Sequence, residues 1–104
     1  MSKVVNLATN KSATAEIKLQ LRFFASLREQ LGCAEQSVIL PPEITSVGQV
    51  RAWLMERGGV WADSLAAGRQ VRMAYQQVMC DESEQLNLSD ANQEVAFFPP
   101  VTGG

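Results

Sequence analysis

Ile17-Lys18-Leu19-Gln20-Leu21-Arg22-Phe23-Phe24 is the stretch that decides the fold. Ile17, Leu19, Leu21 and Phe23 fall on one face and Lys18, Gln20, Arg22 and Phe24 on the other, the two-residue period of a half-buried strand. A strand with one apolar face needs a layer to bury it against, and the chain that follows supplies one. Ala25 to Leu31 allows one or two helical turns, with Leu27 and Leu31 at i,i+4 and Gly32 placed to end them. Ser37-Val38-Ile39-Leu40 makes a second strand, stopped by Pro41-Pro42, which cannot donate to a ladder. Ser46-Val47-Gly48-Gln49 is a capping box in which Ser46 bonds the Gln49 N–H and the Gln49 side chain reaches back. Val47, Val50 and Leu54 then recur at helical spacing, Trp53 widens the stripe, and Gly58-Gly59 ends the helix. This leaves Arg51, Glu56 and Arg57 for its outer face.

Beyond that helix, residues 61–67 allow a further short turn, and Val71, Met73 and Tyr75 alternate with Arg72, Ala74 and Gln76 as a third strand. A weaker strand covers Val78 to Cys80, Ser89-Asp90-Ala91-Asn92 reads as a turn, and Glu94 to Phe98 is a final strand closed by Pro99-Pro100. The order predicts an α+β domain of β-grasp, ubiquitin-like type, with one main helix packed across a mixed sheet. Residues 1–15 mix small and polar types without a sustained period and read as a loosely ordered extension. The domain is then 16–98, followed by a flexible reactive tail, 99–104.

Composition narrows the chemistry. A net charge of −2 offers no basic stripe to neutralise phosphates, which argues against nucleic acid and anionic membrane as partners. The chain has no His, so it lacks an imidazole base near neutral pH, a Ser-His or Cys-His pair, and a His ligand for zinc. Cys33 and Cys80 lie far apart without C-x-x-C spacing and read as ordinary reduced thiols. With no leader and no apolar run of bilayer length, the expected location is the cytoplasm. On that ground Asn10-Lys11-Ser12 and Asn87-Leu88-Ser89 are chance matches to the glycosylation pattern. The Asp81, Glu82 and Glu84 cluster, without supporting ligands, reads as surface charge, and no metal site is expected.

The last residues carry the functional reading. Pro99-Pro100 stiffens the exit from the final strand, and Gly103-Gly104 has no Cβ to obstruct a narrow passage. Six extended residues, Pro99, Pro100, Val101, Thr102, Gly103 and Gly104, reach roughly 20 Å, enough to enter a partner's active site. A terminal carboxylate is a poor electrophile until joined to AMP, which gives it a leaving group that sulfur can displace. A bare Gly-Gly end is equally compatible with a frayed tail.

The run Val95-Ala96-Phe97-Phe98-Pro99-Pro100-Val101-Thr102-Gly103-Gly104 resembles the C-terminal signature of the MoaD family, the ubiquitin-like sulfur carriers that form the small subunit of molybdopterin synthase. Phe23-Phe24-Ala25-Ser26-Leu27-Arg28-Glu29-Gln30-Leu31-Gly32 resembles that family's first strand and short helix, so the resemblance spans about 17–104. The chain departs from the pattern at Gln76, where Asn is usual, and in its first fifteen residues. The resemblance implies a cycle. An adenylyltransferase related to ubiquitin-activating enzymes uses ATP and Mg²⁺ to adenylate Gly104, and a sulfur donor converts it to a thiocarboxylate. The large synthase subunit then spends that sulfur on cyclic pyranopterin monophosphate to build the molybdopterin dithiolene. It implies no bound cofactor, an assembly of two small and two large subunits, and acid–base groups held by the partners. A thiamin-type sulfur carrier and a ubiquitin-like interaction module that is never activated are the alternatives.

Phe24 and Phe98 occupy the polar-facing registers of the first and last strands. If those strands are parallel neighbours, the rings lie together beside the tail as a docking surface. A twisted sheet would instead fold both rings into the core. Arg28, in the same short helix, either pairs with an acidic partner or is simply solvated.

Overall fold

The computed structural model describes residues 16–100. The expected extension 1–15 and the tail residues Val101, Thr102, Gly103 and Gly104 lie outside the described residues. The elements in chain order are β1 (Lys18–Phe23), α1 (Ala25–Leu31), β2 (Glu35–Ile39), α2 (Val47–Met55), α3 (Gly59–Ser64), β3 (Arg72–Tyr75), β4 (Val78–Cys80) and β5 (Asn92–Phe98). β2 and β5 each begin two residues earlier than the hydrophobic pattern predicts. Their first residues, Glu35-Gln36 and Asn92-Gln93, are polar and follow the path of β1 rather than any preference of their own.

The sheet order is β2-β1-β5-β3-β4. β1 and β5 are parallel, with Leu19 opposite Gln93, Leu21 opposite Val95 and Phe23 opposite Phe97, and every other pairing is antiparallel. The predicted faces hold. Leu19, Leu21, Phe23, Val95 and Phe97 are essentially inaccessible and pack beneath Val47, Val50 and Leu54 of α2 and Leu27 and Leu31 of α1. This mixed sheet with helices on one face is the ubiquitin-like β-grasp arrangement.

Two glycines mark the ends of helices. Gly32 caps α1 in the left-handed conformation (φ +78°), its N–H donating to the Arg28 carbonyl. Gly58 (φ +75°) takes the last bond of the α2 turn, from its N–H to the Met55 carbonyl, and is itself the N-cap of α3. It therefore ends one helix and begins the next.

The capping box at α2 forms with one change. The Ser46 hydroxyl accepts from Gln49 N–H at 3.2 Å, but Gln49 Oε1 accepts from the Thr45 N–H at 2.6 Å, one residue earlier than the motif predicts. The segment before the helix is bound elsewhere. Ser46 bridges Gln85, Val47 N–H donates to the Glu84 carbonyl at 2.9 Å, and Gly48 N–H donates to the Glu82 carbonyl at 3.0 Å. Loop carbonyls thus satisfy donors that a helix N-terminus leaves free.

Arg51 corrects an expectation. It does not lie on a solvated outer face: it is 7% exposed. Its Nε donates to the Leu65 carbonyl at 2.7 Å, Nη2 to the Ala66 and Arg69 carbonyls at 2.7 and 3.3 Å, and Nη1 to Glu82 at 2.8 Å. Glu82, expected to be plain surface charge, is the ion partner while its side chain stays half-exposed. The cause is tertiary: the segments after α3 and β4 return over this face of α2, and α3's terminal carbonyls need a donor. Glu56 and Arg57 are exposed as expected, with Arg57 stacked 4.4 Å over Trp61 and Trp61 edge-on to the buried Phe23.

The departure at Gln76 also has a structural account. Gln76 and Gln77 both have positive φ (51° and 68°), the backbone of a two-residue hairpin turn that ordinarily favours Asn and Gly. Gln76 offsets the strain by bracketing Glu94: its N–H donates to the Glu94 carbonyl at 2.9 Å and its Oε1 accepts from the Glu94 N–H at 2.8 Å. The side chain continues the β3–β5 ladder past the turn.

Two substitutions test the clasp around α2. Helix propensity favours Ala over Gly by about 1 kcal/mol, but a Cβ on Gly48 would stand 2.9 Å from both Cβ and the backbone oxygen of Glu82. Gly48→Ala is therefore expected to lower stability in urea unfolding by about 1–3 kcal/mol, and a raised midpoint would show that the loop yields freely. Arg51→Met, which strands the Leu65 and Ala66 carbonyls, should cost about 2–4 kcal/mol. Glu82→Gln, at a half-exposed site, should cost less than about 1 kcal/mol.

Candidate functional site at the tail exit

The parallel pairing of β1 and β5 makes their C-terminal ends neighbours, so the residue leaving β1 sits beside the residue leaving β5. Phe24 N–H donates to the Phe97 carbonyl at 3.2 Å, carrying the ladder one residue past Phe23. The chain then turns off sharply through Ala25, whose φ is +54°, and the Phe24 carbonyl accepts from Arg28 N–H at 3.3 Å as α1 begins. This turn leaves the Phe24 ring on the sheet face away from the helices, 43% exposed. Phe98 meets it edge-on, with ring centroids 6.5 Å apart and planes at 78°. Of the two arrangements open to the sequence, the structure shows the exterior pair. The stacked rings in the core are Phe23 and Phe97.

Register adds residues that the sequence did not single out. Arg72 is opposite Phe98, and Ala74 opposite Ala96 on one side and Met79 on the other. Arg22 is opposite Ala96 from the β1 side. The open face at the tail exit is thus a row of Phe24, Phe98 and Arg72 above a row of Arg22, Ala96, Ala74 and Met79. The Arg22 guanidinium lies 5.9 Å from the centre of the Phe24 ring and 4.0 Å from Glu94. Alternation alone puts Arg72 and Ala74 on the face opposite Met73, but only the strand order shows which strand they stand beside. Arg28 is exposed one helical turn from Phe24, and its side chain makes no hydrogen bond or ion pair among the described residues. Pro99 and Pro100 are half-buried at the root of the tail.

On the opposite, core-facing side, the start of β5 is held by a buried polar group. Gln93, 4% exposed, donates from Nε2 to the Asn87 and Asp90 carbonyls, both at 2.6 Å, and accepts from the Tyr75 hydroxyl. That hydroxyl accepts in turn from Asn87 N–H at 2.8 Å. Every polar atom of Gln93 is used, which fixes the loop that feeds β5.

No group of three or more metal-ligating side chains gathers among the described residues. Cys33 and Cys80 are free and half-buried. Burial, and then the nearby Glu84 and Asp81, push the Cys80 thiol up from its ordinary value, so it stays protonated at neutral pH and is a poor nucleophile. Asp81 is held below the usual carboxylate range, first by the hydrogen bond from the Ser83 hydroxyl. The arrangement presents an aromatic and aliphatic surface flanked by arginines at the point where the chain leaves the sheet. Such a surface suits docking.

Residues 21–104 match the ThiS family. The chain is 36% identical over 86 residues to the molybdopterin synthase sulfur carrier subunit of Haemophilus influenzae, covering 83% of this chain and 99% of that relative. The solution structure of the Haloferax volcanii HVO 2177 protein superposes with a TM-score of 0.66 at 26% identity, over 86% of this chain and 89% of that one. A chain of the Helicobacter pylori complex of subunits 1 and 2 of the molybdopterin-converting factor shares the fold, with a TM-score of 0.52 at 18% identity over 85% and 100% of the two chains. The chain therefore belongs to the ThiS family and is a β-grasp sulfur-carrier protein of the MoaD/ThiS ubiquitin-like superfamily.

Proposed function

We propose that this protein is the sulfur-carrier subunit of a molybdopterin synthase and that its reactive group is the carboxylate of Gly104. The observation that carries this reading is the identity with the Haemophilus influenzae carrier subunit over nearly all of that relative. The family match running through residue 104 supports placing the chemistry there. In the first step a carboxylate oxygen of Gly104 attacks the α-phosphorus of Mg²⁺-bound ATP on an adenylating partner, and pyrophosphate leaves. A persulfide on a donor protein then attacks the acyl carbon, forming the C–S bond as the C–O bond to AMP breaks, and a second thiol cleaves the S–S bond, leaving the thiocarboxylate on Gly104 and a disulfide on the donor side. The resulting thiocarboxylate delivers its sulfur to cyclic pyranopterin monophosphate within the large subunit, in an assembly of two small and two large subunits. The carrier's own residues bind and aim. Phe24 and Phe98 dock, Arg28 is available to an acidic partner residue, and Pro99 and Pro100 direct Val101, Thr102, Gly103 and Gly104 into the channel. In this reading the domain is 16–98, with 1–15 as an extension and 99–104 as the reactive tail, and the protein works in the cytoplasm.

The match to the ThiS family favours a second reading, a carrier that supplies sulfur for thiazole formation. The product separates the two. Incubated with ATP, Mg²⁺, the cognate adenylating enzyme and a sulfur source, the intact chain should gain the mass of one oxygen-to-sulfur exchange. Adding the large synthase subunit and the cyclic pterin should restore the original mass as molybdopterin appears. Formation of thiazole alone would establish the second reading, and absence of any acyl-adenylate would leave an interaction module.

Two variant sets test the residue roles. A residue added after Gly104, or deletion of Gly104, should abolish sulfur transfer while far-UV circular dichroism and the melting curve stay unchanged. Phe24→Ala and Phe98→Ala should each weaken binding to the large subunit by about 1–3 kcal/mol in calorimetry. Unchanged binding accompanied by a lower melting temperature would assign the rings a structural role instead.

A further inference from the structure

The tail exit has a second wall that the docking pair does not include. Pro100 borders a shallow groove whose other lining is Arg69, Gln70, Val71 and Arg72. Arg72 is fixed by its pairing with Phe98 across the β3–β5 ladder. Arg69 is fixed through its backbone: its N–H donates to the Ala66 carbonyl at 2.9 Å, and its carbonyl accepts from the buried Arg51 at 3.3 Å. The two guanidinium groups are therefore carried on supported backbone beside the tail, and both residues are exposed.

Neither arginine has a carboxylate within 4.0 Å, since the ion pairs among the described residues are Arg22–Glu94 and Arg51–Glu82. Glu82 is engaged by Arg51, Asp81 is bound to Ser83, and Glu94 pairs with Arg22. In a chain of net charge −2, the two exposed guanidinium groups, neither in an ion pair among the described residues, put positive charge on one wall of the exit.

Distance decides what that field can meet. Four residues follow Pro100 and span roughly 13 Å when extended. An AMP phosphate joined to Gly104 would then lie well beyond the reach of an arginine beside Pro100. What passes Pro100 when the tail is inserted is the rim of the receiving protein. Guanidinium groups that are exposed, forked and unpaired suit carboxylates on such a rim.

We propose that Arg69 and Arg72 form a basic lip at the tail exit that engages an acidic rim on the adenylating enzyme as the tail enters its channel. This rests on the sulfur-carrier reading above and adds to it the charge of the partner's surface. A lip of this kind acts on encounter more than on chemistry, because rim charges change association rates and their salt dependence.

The test is ATP-dependent adenylation of the full chain by its cognate adenylating enzyme, with carrier concentration varied at about 30 mM and about 300 mM salt. Adenylation of the native chain is measured first, so that failure of the carrier reading is seen separately. For the double variant Arg69→Glu/Arg72→Glu, kcat/KM should fall about tenfold or more at low salt. Its kcat should stay within about twofold, and the difference from the native chain should shrink at high salt. Arg72→Glu is compared with Lys18→Glu, which carries the same charge change at the far end of β1. Only Arg72→Glu should show the loss. An equal loss for Lys18→Glu, a fall in kcat rather than a rise in KM, or an effect indifferent to salt would overturn the proposal. A melting temperature matching that of the native chain confirms that each variant is folded, and Arg69→Gln/Arg72→Gln, expected to fall between the native chain and the reversal, serves if the reversal unfolds.

Discussion

The parallel contact between β1 and β5 is the constraint on which the rest of the molecule depends. It joins residues more than seventy positions apart in sequence, Lys18 with Asn92 through Phe23 with Phe97, and sets side by side within the sheet the two strands that supply most of its buried apolar residues. A parallel pair needs a long crossover, which here includes every helix of the described residues. Because both strands end at the same level, Phe24 and Phe98 become neighbours without any local sequence signal linking them. A shift of one residue in this register would turn Leu19, Leu21 and Phe23 toward solvent. Core and candidate docking face are therefore set by a single alignment.

Arg51 holds that crossover together with its apolar packing. A guanidinium brought out of water is costly, and the cost is tolerable only when its donors are met. Here they are, by three carbonyls and a carboxylate contributed by two separate segments. The same residue therefore fastens α2 to the end of α3 and to the loop after β4. Lys in its place would offer a point charge without the planar fork that reaches carbonyls on either side. Gly48 complements this from the start of α2, since the approach of the Glu82 backbone leaves no room for a Cβ.

Element identity was legible wherever one residue's neighbours in sequence are also its neighbours in space. The alternation of residues 17–24, the Ser46 cap, the left-handed Gly32 and the short β4 are all local, and the structure shows each of them. Arg51 reads as solvent-facing because helical spacing separates apolar from polar positions but does not show what lies over the polar ones. The early start of β5 is not legible in the sequence because Gln93 looks like a loop residue until Tyr75 and the Asn87 and Asp90 carbonyls surround it. At the candidate site the aromatic pair could be placed by pattern plus topology. Arg22, Arg72, Ala74 and Met79 could not, since their roles depend on cross-strand register.

On the proposed function, a tail that enters a partner's channel needs a face to dock as well as an end to react. Two prolines cannot donate to a ladder, so the sheet cannot run on past Phe98 and the chain must leave there. Fixing a four-residue chain in a partner's channel costs about 4–8 kcal/mol of backbone entropy, at about 1–2 kcal/mol per residue, and glycine lies at the expensive end. Small residues that slip through a narrow passage bring little apolar surface to offset this. Burying an exposed phenylalanine returns about 1.5–3 kcal/mol, so in the proposed complex Phe24 and Phe98, already partly covered by each other, would recover a share of that cost but not all of it. In that complex the remainder would come from the surrounding open face, including the aliphatic Met79 and the arginines beside the rings. The narrower the passage demanded by the chemistry, the more of the binding energy must reside on the rigid domain, and the parallel pair of strands puts that surface at the point where the tail begins.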